Sequence, residues 1–254
     1  MLIILTSAKT MTGTSKIIAP TGSTPRFAQE ANEIALNMAQ FSTDELKKIL
    51  KLNPKLALEN YNRFQEFHTE EVHSLQALLA YTGVVFKNIN PKDFTEEDFL
   101  YANDHLRIAS ICYGLLRPLD QIKPYRMEYE VKLPELGEGN MYNFWRPRQT
   151  ELLIDEVKKN DNILMNLASH EIQGAFDWKK LGKAARIITP EFKVWKDGNA
   201  KTIVIYTKMA RGQMTRHILK NRITDPEELK NFSWEGFTWD EGMSDGDNWV
   251  FLQS

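Results

Sequence analysis

Met1-Leu2-Ile3-Ile4-Leu5-Thr6-Ser7-Ala8-Lys9-Thr10 opens the chain and decides the fold class. Five apolar residues in a row, closed by small and polar ones, match a strand buried on both faces that ends in a loop. A second run of this kind is Asn162-Ile163-Leu164-Met165-Asn166-Leu167. Stretches with helical spacing separate the two. Buried strands alternating with helices point to an α/β (mixed α+β) fold, a central mixed sheet surrounded by helices. No linker composition or internal repeat interrupts the 254 residues, so residues 1–254 read as one domain.

Between those strands, Met11–Phe27 is rich in Thr, Ser, Gly and Pro and reads as a surface loop. Helices are expected over Phe27–Phe41, from a Ser42 cap with Glu45 at the capping-box offset, over Leu56–Phe67, through His73–Ala80, and, behind the start signature Thr95-Glu96-Glu97-Asp98, from Phe99 to about Ile111. Gly83–Phe86 is expected as a strand and Tyr125–Leu133 as extended chain. Beyond the second buried run, helices are expected over Tyr142–Lys159, briefly over Phe176–Leu181 and Pro226–Lys230, and, as a basic helix, over Ala210–Asn221. Ala185–Phe192 and Thr202–Tyr206 read as strands, and the tail from Phe232 as paired strands whose Trp234, Phe237, Trp239, Trp249 and Phe251 belong to the core.

Composition narrows the function. Lys and Arg number 32 and Asp and Glu 34, a formal net charge of −2, so an anion-binding surface must come from charge segregation, not charge excess. One cysteine, Cys112, leaves no internal disulfide and no multi-cysteine zinc site. No secretory leader or membrane-length apolar run is present, so a cytoplasmic chain that does not cross a membrane is expected. The five histidines share no ligand spacing, so no metal and no cofactor are expected.

Four places carry candidate chemistry. Ser7, Lys9 and Thr10 follow the first strand, where α/β proteins gather ligands; a polar strand-end loop is the plain alternative. Ala109–Arg126 reads as a helix–hairpin–helix-like element: Gly114 would permit the turn between Tyr113 and Pro118, and Arg117, Lys123 and Arg126 would meet phosphate, with Tyr125 beside them. A buried structural turn is the competing reading. Asn166, Ser169 and Glu171 end the second buried run, where they would either hydrogen-bond a ligand or, for Ser169, cap a helix. Lys208 and Arg211 stand where Tyr206 gives way to a helix and would hold an anion; a solvated helix face is the alternative.

These pieces together resemble the YaaA-type peroxide-stress family (UPF0246-like). The resemblance runs from the first ten residues through Phe94-Thr95-Glu96-Glu97-Asp98-Phe99 and Tyr113-Gly114-Leu115-Leu116-Arg117-Pro118-Leu119-Asp120. It continues in Pro124-Tyr125-Arg126, Asn166-Leu167-Ala168-Ser169, Ala210-Arg211-Gly212 and Glu235-Gly236-Phe237. It implies a cytoplasmic protein of the peroxide response, linked to lowered free iron. It also implies double-stranded DNA as partner, bound through a helix–hairpin–helix and a positive cleft, with Lys9, Tyr113, Gly114, Arg117, Tyr125, Arg126, Asn166, Ser169, Lys208 and Arg211 at matching positions. Three departures stand out: no proline precedes Ala8, Ile172 stands where the family has tyrosine, and Met209 where it has a basic residue; the last two remove a ring hydroxyl and a charge from that cleft. The alternative is an enzyme acting on a small nucleotide-like ligand in the strand-end cleft, with Glu171 as proton donor or acceptor. The sequence itself says nothing of oligomeric state.

Overall fold

A computed structural model describes residues 1–69, 73–137 and 139–254. In chain order the elements are β1 (Leu2–Thr6), α1 (Ala28–Met38), α2 (Thr43–Ile49), α3 (Pro54–Gln65), β2 (Leu75–Gln76), α4 (Ala77–Ala80), α5 (Val84–Ile89) and α6 (Glu96–His105). Then come β3 (Leu106–Ser110), β4 (Gly114–Leu116), β5 (Gln121–Ile122), α7 (Met141–Lys158), β6 (Ile163–Asn166) and α8 (Trp178–Ala184). The last are β7 (Arg186–Lys196), β8 (Asn199–Lys201), α9 (Val204–Asn221), β9 (Phe237–Asp245) and β10 (Asn248–Gln253).

The central sheet has the order β4-β3-β1-β6-β7-β10-β9, with β8 added to β7. β3, β1, β6, β7 and β10 run parallel, and β4, β8 and β9 are antiparallel to their neighbours. Leu2, Ile3, Ile4 and Leu5 are fully buried, as a central strand covered on both faces requires. From β1 the chain crosses to β3 on one side and later to β6 on the other. The strand order therefore reverses at β1, and that reversal opens a crevice beyond the carboxyl ends of the strands.

Several expected features appear with their chemistry intact. Ser42 and Glu45 form the capping box of α2, and Thr95 and Asp98 form that of α6. The tail is the β9–β10 hairpin, with Phe237, Trp249 and Phe251 in the core.

Other expectations are corrected. Gly83–Phe86 is not a strand: Gly83 caps α5, and only Phe86 and Ile89 of that helix are buried. Four apolar residues carry no period that separates strand from helix. Thr202–Tyr206 is not a strand either; α9 starts at Val204 and leaves Val204, Ile205 and Tyr206 exposed. Tertiary packing of the following turns outweighs the β preference of those residues. The helix expected to reach Ile111 ends at His105 and passes directly into β3, whose five residues are all buried.

That last change removes the helix–hairpin–helix at Tyr113–Pro118. The segment is a β-hairpin, with β3 and β4 antiparallel and Ser110 opposite Gly114. Gly114 has φ +67°, and a Cβ there would stand 2.7 Å from both Phe27 and Trp145. The glycine meets a steric demand of the core and is sealed from solvent. A short turn joins α2 to α3. A Schellman-type ending closes α2: Leu52 N–H donates to the Lys47 carbonyl at 3.0 Å and Lys51 N–H to that of Lys48 at 3.3 Å. Lys51 takes the left-handed conformation (φ 51°), and Asn53 with Pro54 starts α3.

Candidate functional site

β1, β3 and β6 end side by side, and their loops build the crevice floor. Ser7 N–H donates to the Ala109 carbonyl, and Leu167 N–H to that of Ile4, which extends both ladders one step beyond the strands. The hydroxyls of Thr6 and Ser169 lie 3.0 Å apart, and Ser169 N–H donates to Thr6 Oγ1 at 2.8 Å. This pins the loop after β6 onto the end of β1. Ser169 also initiates a short 3-10 helix, but its hydroxyl faces Thr6 and does not cap it.

Above this floor is a cavity of 280 Å³. Ser7, Lys9 and Thr10 line it from β1, Ser169 and Glu171 from β6, and Lys208 and Arg211 from α9. Gly83 and the first turn of α5 close it. Gly212 explains how Arg211 gets there. A Cβ at Gly212 would lie 2.3 Å from the Val85 carbonyl oxygen, so only glycine lets α9 press against α5.

The charges inside are unevenly matched. Lys9 Nζ stands 2.5 Å from Glu128 and 3.8 Å from Glu171. Burial raises the Glu171 carboxyl above its ordinary value; Lys9 pulls it back, and Glu128 and Glu130 push it up further. Arg211 shows the reverse situation. Burial lowers the affinity of its guanidinium for its proton, against the pull of Glu191. Its Nε is buried and has no hydrogen-bond partner among the described residues. Guanidinium groups of this kind have the fork of donors that matches an oxyanion.

A small crevice shares Ser7, Lys9 and Glu171 with the main cavity and adds Tyr125 and Arg126. The Nε of Arg126 is likewise buried and unpartnered among the described residues. Tyr125 faces inward: its hydroxyl bonds those of Ser110 (2.7 Å) and Tyr81 (3.0 Å). Burial raises its phenol above the ordinary value, so it is a neutral strut behind Ser7 and not a phosphate ligand.

The cations predicted to converge divide in two. Lys9, Arg126, Lys208 and Arg211 gather in and beside the crevice, with Ser7, Thr10, Ser169 and Glu171. Arg117 does not join them: it is tied to the buried Asp120 at 2.9 Å and to the Thr24 carbonyl. Lys123 donates to the carbonyls of Phe67 and Thr69. Tyr113 is buried and accepts from Lys123 N–H, and Gly114 is enclosed. Asn166 lines an adjoining chamber. Residues not foreseen from the sequence are Thr6, Gly83, Glu128 and Trp178; only the packing of distant segments brings them here. Among the described residues no three His, Cys, Asp or Glu side chains assemble into a metal cage. No helix among them is long and apolar enough to cross a membrane.

The family model described as peroxide stress protein YaaA matches residues 1–243. The chain belongs to that family. Among curated relatives it is similar to a UPF0246 protein of Parabacteroides distasonis, 68% identical over 253 residues with 100% of each chain covered. It is also similar to a UPF0246 protein of Bacteroides thetaiotaomicron, 56% identical over 252 residues (99% and 98% covered). A third, from Porphyromonas gingivalis, is 45% identical over 255 residues, with 99% of each chain covered. Family membership thus covers the strand-end crevice, the α2–α3 hairpin and the tail alike.

Proposed function

We propose that this peroxide-stress-family protein works by holding a phosphate-bearing, nucleotide-like ligand in the strand-end crevice. The observation that carries the reading is Arg211: a half-buried guanidinium with an unpartnered Nε, beside Lys208 and across from Lys9, in a 280 Å³ cavity at the sheet's reversal point. Glu171 is the group placed to give or take a proton on such a ligand. Thermal-shift titration tests this, because a ligand that binds only the folded chain raises its stability. Inorganic phosphate, sulfate and nucleotides should raise the melting temperature of the native chain and not that of Arg211→Gln. No shift with any of them defeats the reading.

Duplex DNA is a second reading, and a different surface favours it. Lys47, Lys48, Lys51 and Lys55 are all exposed around the α2–α3 hairpin. Asn60 of α3 donates to the Arg126 carbonyl, which ties this helix to the crevice rim. A cavity of crevice size admits a phosphate group but not a duplex; the hairpin has no such limit. Each phosphate contact contributes about 0.9 to the slope of log affinity against log salt. Replacing the four lysines should flatten that slope by up to about 3–4 on any sequence. An unchanged slope removes the hairpin from DNA binding.

A further inference from the structure

The cationic cavity does not end at Arg211. Beyond that side chain and Ser169 lies a second chamber of 310 Å³, and these two residues line both. The two chambers differ in character. Lys9, Lys208, Arg211 and Glu171 make the first one charged. The second presents amides and hydroxyls, notably Asn166, Thr189 and Thr207, together with the imidazole of His170, the indole of Trp178 and one carboxylate, Glu191, which is paired with Lys193 at 2.9 Å. One half suits an oxyanion. The other suits a planar, neutral group with hydrogen-bonding edges and a π face.

We propose that the two chambers form one bipartite site for a nucleoside phosphate, with phosphate on Lys9, Lys208 and Arg211 and the base in the second chamber beside Trp178. This rests on the phosphate reading above and adds the substrate class. Three features support it. Arg211 stands at the junction, lining both chambers, and its buried Nε has no partner among the described residues. Trp178 is held in place before any ligand arrives: its Nε1 donates to the Gln173 carbonyl at 3.1 Å and its ring lies 5.7 Å from that of Phe176. The indole is half-buried, and its position is set without a ligand, so stacking a base on it costs little ordering. Asn166 keeps spare capacity. One amide hydrogen goes to Thr189 at 3.4 Å and its carbonyl accepts from Ala168 N–H at 3.3 Å. A second hydrogen and a second lone pair remain to read the edge of a base. The combined volume lies within the ~300–1,000 Å³ usual for small-molecule sites.

Isothermal titration of the full chain with ribose 5-phosphate and with adenosine, guanosine, cytidine and uridine 5′-monophosphates tests the assignment. At least one nucleotide should bind about tenfold or more tightly than ribose 5-phosphate, the margin a stacked base supplies. Trp178→Leu should erase that margin while ribose 5-phosphate affinity stays within about twofold. Saturation-transfer difference NMR on the native chain gives a readout independent of any variant, and the base protons should show the strongest transfer. If ribose 5-phosphate binds as well as every nucleotide, or the base protons show weak transfer, the second chamber is not a base site although the phosphate reading stands. If neither ribose 5-phosphate nor any nucleotide binds, the phosphate reading itself fails.

Discussion

Gly212→Ala isolates the contact that aims the cationic end of α9 into the crevice. The new methyl would stand 2.3 Å from the Val85 carbonyl oxygen and 2.6 Å from Asn88 Cβ, neither of which can rotate away. Comfortable contact needs ~3.5 Å, so the helices must separate by about 1 Å. Overpacking of this kind costs about 1–3 kcal/mol, and contact with backbone places it at the upper end. Alanine recovers about 1 kcal/mol of helix propensity relative to glycine. The net loss is ~2 kcal/mol, which for a chain of this size lowers the melting temperature by roughly 4–8 °C. Calorimetry on both proteins measures it. The sign is diagnostic, because without the Val85 contact only the propensity gain remains and the variant would be more stable. A melting temperature equal to or above that of the native chain refutes the packing described here. The same displacement moves Arg211 and Lys208, so sulfate affinity should drop in parallel.

Three further outcomes follow from individual side chains. Asp98 sits between Lys220 (2.8 Å), Arg222 (2.7 Å) and Thr95 N–H; burial opposes its ionisation, but these hydrogen bonds prevail and hold it at about 2 against an ordinary 3.8. A lowered folded value stabilises above the unfolded one, so Asp98→Asn should melt lower than the native chain at pH 7, and thermal melts should show the gap closing as pH falls from about 4 to 2. Glu171, raised by burial, is neutral at low pH and charged above its shifted value. Sulfate, whose own charge is constant there, should bind less tightly as pH rises through that range, and titration of Glu171→Gln should give a flatter profile. Cys112 is fully buried and burial raises its thiol, so a thiolate-selective alkylating reagent followed by mass spectrometry should label it only in denaturant. Rapid labelling in the native state would refute the enclosed environment described for this cysteine.

What could be read along the chain was whatever local chemistry controls. β1 and β6 announce themselves because a strand buried on both faces must be apolar throughout, and α2 and α6 because a capping box satisfies its own N–H groups within four residues. Lys9, Ser169 and Glu171 were legible as strand-end polar residues; Lys208 and Arg211, expected at a helix start, lie four and seven residues into α9 and still share that cavity. Tertiary structure alone decided the fate of Tyr113-Gly114-Leu115-Leu116-Arg117. Its glycine and arginine suit a phosphate-binding turn as well as a core hairpin, and the choice depends on Phe27 and Trp145, distant in sequence, filling the space over Gly114. Arg117 was likewise claimed by Asp120, whose carboxylate is buried only once the fold closes over it. Glu128 facing Lys9, and Trp178 beyond Arg211, have no local signature at all: each acquires its place when strands far apart in the chain end side by side.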